Sequence, residues 1–86
     1  MPKAAFSKTY KAFLDLLRTS RENAGLTQQD LAKKIGQTQT FVSKCERGER
    51  RIDVAELLMF CRAIGIDASE FVRKLESSRG SRSSKS

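Results

Sequence analysis

Histidine is absent from the 86 residues, cysteine occurs twice, and aromatic side chains make up only 7% of the chain. Without an imidazole, and with Cys45 and Cys61 far from the short paired spacing of a zinc site, no metal centre is expected. No glycine-rich phosphate loop and no nucleophile beside a base can be picked out, so neither an enzyme nor a bound cofactor is expected. The few aromatics are scattered, which disfavours a stacking platform for RNA. No window approaches the ~18 apolar residues that cross a bilayer. Residues 1–20 are broken by Lys3, Lys8, Lys11, Asp15 and Arg18, so no export signal and no membrane partner are expected. The expected compartment is the cytoplasm, where both cysteines would remain thiols.

What the chain does have is positive charge. Seventeen basic residues face ten acidic ones, a formal net charge of +7. The excess lies in residues 1–51 and again after residue 76, whereas residues 52–76 hold more acids than bases. One basic face on a small domain favours nucleic acid or an acidic partner. Mere solubility is the competing explanation. The length suits one domain with a modest core.

Apolar periodicity predicts five short helices and no strand. Ser7 or Thr9 can cap the first, whose stripe is Tyr10, Phe13, Leu14, Leu17, Arg21 and Ala24, ended by Gly25. Arg21 on an apolar stripe needs a carboxylate partner, because a buried unpaired guanidinium is costly. Thr27 and Asp30 have capping-box spacing and open a second helix to about Ile35. Gly36 suits a tight turn with positive φ. Thr38 would cap a third helix ending near Arg47 and Gly48. Asp53 and Glu56 form a second capping box, opening a helix with a stripe of Val54, Leu57, Leu58, Cys61 and Ile64 and with Phe60 beside it. Asp67 to Glu70 repeats the spacing ahead of Phe71, Val72 and Leu75. Residues 1–6 are expected to be loose, residues 7–76 the domain, and residues 77–86, which lack any apolar side chain, a disordered basic tail.

Residues 27–51 have the layout of a helix-turn-helix, with apolar Leu31, Ile35, Val42 and Cys45 and a small Ala32 where helices can touch. The run QTFVSKCERGERRID, followed by a helix containing LLMFCRAIG, resembles the Xre-type, lambda-repressor-like helix-turn-helix family of bacteria and phages. The resemblance spans roughly residues 10–67 and implies an all-α, five-helix DNA-binding domain. It further implies that Gln39, Thr40 and Lys44 face base edges, with Ser43 a weaker candidate. Glutamine can bind adenine bidentately and a threonine methyl can meet that of thymine. Gln28, at a helix N-terminus, would bind phosphate. Arg47, Arg50 and Arg51 would meet the DNA backbone. Phe41 is open between a contact to thymine or sugar and a partly covered surface aromatic. In the family an acid at the place of Glu46 pairs with a basic residue on the first helix, which here is Arg21.

The function so implied is a sequence-specific regulator of double-stranded DNA, expected to repress from a palindromic operator as a homodimer. Leu58, Met59, Ile66, Phe71 and Leu75 are the expected dimer surface, unless they only close the monomer core. The alternative is an antitoxin or other interaction module whose main partner is a protein. Cys45 and Cys61 are expected to be small buried residues, a redox switch near the reading helix being the competing role.

Overall fold

In the computed structural model, which describes the backbone of residues 7–79 and the side chains of residues 7–77, local capping chemistry sets the helix boundaries. Helix α1 (Lys8–Asn23) begins where the Ser7 hydroxyl accepts the Tyr10 N–H. Helix α2 (Gln28–Ile35) opens with the Thr27–Asp30 box, both reciprocal bonds being 3.0 Å. Helix α3 (Gln39–Arg47) is capped by Thr38. Helix α4 (Val54–Ile64) is opened by the Asp53–Glu56 box and α5 (Ala68–Arg79) by Asp67. Each cap satisfies a backbone donor that a helix start otherwise leaves open. No strand occurs among the described residues.

Two glycines make the tight geometry possible. Gly36 turns α2 into α3 at φ 71°, and Gly48 ends α3 at φ 83° while itself buried. A side chain at either position would be strained in this left-handed region.

The helices enclose one core of Phe13, Leu14, Leu17, Leu31, Ala32, Val42, Cys45, Phe60, Cys61, Ile64 and Phe71. Helix α2 packs on α3 and α4, α1 packs on α3 and α5, and α4 packs on α5. Phe60 is fully buried. Burying a phenylalanine side chain contributes about 1.5–3 kcal/mol, so this residue matters disproportionately in so small a core.

Three expectations require correction. The core face of α4 is centred on Phe60, Cys61 and Ile64; Val54 is 74% exposed, Ala24 is exposed at the end of α1, and Leu58 is partly exposed. Cys61 and Ile64 of the predicted stripe stay inside and Leu57 is half-buried, while Phe60 takes the central place expected of Val54 and Leu58. Phe71 is only 2% exposed and meets Phe13 edge-on at 5.8 Å between ring centroids. It belongs to the monomer core, because α5 folds back on α1, and is removed from the dimer surface. Finally, α5 runs to Arg79, so residues 77–79 are helical rather than tail. The expectations for residues 1–6 and 80–86 lie outside the described residues.

Candidate nucleic-acid interface

The outer face of α3 is built by periodicity. Val42 and Cys45 point inward and are fully buried, so Gln39, Thr40 and Lys44 fall on the opposite side and are exposed. Ser43 lies between the two faces, half-buried, and its hydroxyl accepts a hydrogen bond from Arg47 Nη1. Gln39 also lines a shallow cleft with Thr27, Gln28 and Gln29 from the start of α2. The N-terminus of α2, with its outward N–H groups and positive dipole end, is thus brought beside the first turn of α3.

Behind this face the Arg21 side chain is buried, and each of its three nitrogens has a partner. Its Nε lies 2.6 Å from Glu46 Oε2, its Nη2 lies 3.0 Å from Glu46 Oε1, and Nη1 donates to the Leu26 carbonyl at 2.8 Å. The two side chains are 8% and 4% exposed. Gln28 Nε2 donates to the same Glu46 Oε1 at 3.0 Å. One carboxylate therefore ties α1, α2 and α3 together, and no buried side-chain polar atom is left unpartnered among the described residues. The Gln28 amide retains one N–H that is not used in this bond, since a primary amide carries two.

The three arginines separate. Arg47 stays on the α3 side, held by Glu49 through two bonds of 2.9 and 3.1 Å and by Ser43. Its guanidinium holds the Glu49 carboxyl below the usual range. Arg50 turns toward α4, gripping Glu56 at 3.0 and 2.8 Å and lying 4.7 Å above the Phe41 ring. Arg51 lies over the Tyr10 ring at 4.5 Å. The structure thus brings Gln28, Gln39, Thr40, Ser43, Lys44 and Arg47 to neighbouring surfaces, and gives Arg50 and Arg51 partners within the fold.

Phe41 is half-buried, packed 6.3 Å from Phe60 between ring centroids and covered by Arg50. Its ring is thus partly covered within the fold. The Tyr10 hydroxyl, which accepts the Ile52 N–H at 3.1 Å, fastens the loop after α3 to α1. That contact was not foreseen; an aromatic with a polar tip at the head of the α1 stripe was its only trace in the sequence. Both cysteines are free and buried, and burial pushes both thiols up, foremost among their influences. A raised thiol pKa reduces the thiolate that oxidants attack.

A helix-turn-helix family model matches residues 17–71. A solved XRE-family like protein from Pseudomonas syringae pv. tomato is 47% identical, with a TM-score of 0.81 over 90% of this chain and 94% of that one. The chain belongs to the XRE-type helix-turn-helix family. Two further solved relatives share less of the sequence. The clp gene regulator ClgR of Corynebacterium glutamicum is 25% identical, with a TM-score of 0.71 over 79% of this chain and 88% of that one. A variant of the restriction–modification controller protein C.Esp1396I is 25% identical, with a TM-score of 0.77 over 85% and 92% of the two chains. Comparison with curated proteins finds no match. Membership in the XRE-type family makes the chain a DNA-binding transcription regulator in class. No helix among the described residues is long and apolar enough to cross a membrane.

Proposed function

We propose that this XRE-family chain is a sequence-specific regulator that represses transcription by occupying a palindromic operator in double-stranded DNA as a homodimer. The observation that carries the reading is the two-sided α3. Its back is fixed by Val42, Cys45 and the Glu46 carboxylate, while Gln39, Thr40 and Lys44 project from its front. A rigid helix with polar side chains aimed outward is what readout in a major groove needs. In this reading Gln39 and Thr40 take base edges, Lys44 takes a base or a phosphate, and Ser43 contributes while steering Arg47.

Phosphates on either side position the helix. The start of α2 receives one, through its N–H groups and the spare N–H of Gln28. Arg47 takes another at the far end of α3, with Arg50 and Arg51 adding charge to the loop that follows. A single domain of this size covers too little DNA for high specificity, so two copies on half-sites are required. Of the expected dimer surface, half-buried Ile66 and Leu75 at the α4–α5 end are assigned to the second copy, with exposed Val72 added, while Leu58 and Met59 lie apart from them beside the end of α2. Two relatives named as a gene regulator and a controller protein support the regulatory role.

Selection of bound duplexes from a random pool tests this reading. Enrichment of a short inverted repeat is expected, bound with an affinity that falls steeply with salt. Recovery of no shared sequence, with uniform salt-sensitive binding throughout, contradicts it.

A further inference from the structure

A groove of about 660 Å3 separates the end of α2 from α4, away from the surfaces assigned to DNA. Its floor is apolar: Ile35, Met59 and Ala63 are half-buried, and Leu58 is 42% exposed. Lys34 and Arg62, both exposed, stand at its rim. Neither belongs to any ion pair found among the described residues. The nearest acid on α2, Asp30, caps that helix, and Glu56 on α4 is held by Arg50. No α3 residue lines the groove.

This combination discriminates among occupants. A DNA backbone would meet the two cations but leave the leucine, isoleucine and methionine in water. A second copy docked here about a two-fold axis would crowd two Lys34 and two Arg62 around one apolar seam, with no acid in the lining to offset them. A partner with an apolar stripe and flanking carboxylates satisfies both parts at once.

We propose that the α2–α4 groove is a docking site for an acidic amphipathic helix of another protein. Apolar side chains spaced i, i+3 or i+4, and i+7 would lie along Leu58 and Met59, with carboxylates reaching Lys34 and Arg62. Because the groove excludes α3, such a partner can bind while the outer face of α3 stays available to DNA. The site does not depend on the operator reading.

The probe is a fluorescent synthetic helix with leucines along one face and glutamates beside them, titrated into the full chain and followed by anisotropy. Saturable binding is expected, weakened by about tenfold or more in the Lys34→Glu/Arg62→Glu double variant. Leu58→Asp should weaken it as well, while Lys44→Glu leaves it unchanged. Melting curves of each variant verify the fold, and the double variant changes only exposed charges. The proposal is overturned if Lys44→Glu abolishes binding and the double variant does not, which would make the probe a phosphate mimic on α3. Equal binding of a probe with serines for leucines also overturns it. So does dissociation of a homodimer by Leu58→Asp in sedimentation, which would give the groove to a second copy.

Discussion

Gln28 Nε2 and Glu46 Oε1 lie 3.0 Å apart, so the residue assigned to a DNA phosphate is braced by the carboxylate that anchors the recognition helix. Arg21 holds that same oxygen at 3.0 Å and its neighbour at 2.6 Å. The orientation of α3 and of the first turn of α2 are therefore set by one side chain. The arrangement of α1, α2 and α3 thus rests on a buried charge pair as well as on the apolar core.

Glu46→Ala should consequently lower melting temperature and DNA binding together. Removing one member of a buried pair costs roughly 3–5 kcal/mol, because the remaining charge is left unpartnered. For a domain this small each kcal/mol shifts the midpoint by roughly 4–8 °C. Thermal denaturation followed by circular dichroism checks this, and an unchanged melting curve would remove the clamp from the account.

Arg47, at the end of α3, and Arg50, in the loop that follows, should behave differently although they are near neighbours in the chain. Arg47→Ala is expected to reduce the slope of log affinity against log salt by about one phosphate contact. In free protein Glu49 competes for that guanidinium, so Glu49→Gln should tighten DNA binding a few-fold and leave the fold intact. Arg50→Ala removes a partly exposed pair to Glu56, and water screens such pairs so that each contributes little. Its main effect should be a small drop in melting temperature. Filter binding across a salt series distinguishes the two; equal changes in slope would mean that Arg50 leaves Glu56 for a phosphate.

Acid should loosen the helix starts. The Thr27 N–H and hydroxyl lower the Asp30 pKa, the Arg50 guanidinium and the Asp53 N–H lower that of Glu56, and the Ser69 hydroxyl and N–H lower that of Asp67. Each folded value is below its unfolded one. The resulting stabilisation is complete above the unfolded carboxylate range and is lost as pH falls through the folded values. Melting temperature should thus be level near neutrality and decline below the ordinary carboxylate range. A midpoint that stays constant or rises there would contradict the capping assignments.

Much of this was legible in the chain because it is local. Thr27 with Asp30, Asp53 with Glu56, and Gly36 act within a few residues, so their chemistry is visible without knowing the fold. Arg21 was legible for a different reason: a cation on an apolar stripe demands an acid, whatever supplies it. What escaped depends on how helices meet. Val54 and Phe60 are both apolar, and only the packing of α4 against its neighbours decides that Phe60 goes in and Val54 out. Likewise Phe71 is an apolar residue whose burial is settled by its edge-on contact with Phe13. Charge in the ERGERR run was plain, but nothing local shows that Arg50 turns to Glu56 and Arg51 to Tyr10.

The central claim is that the outer face of α3 reads bases, and Gln39 tests it most directly. Affinities of the unchanged chain and of Gln39→Ala should be measured for a selected operator and for a scrambled duplex at one salt concentration. The account predicts a loss of about 1–3 kcal/mol on the operator, relaxed preference at one base pair, and no change on the scrambled duplex. An equal loss on both duplexes, or none on either, would contradict it.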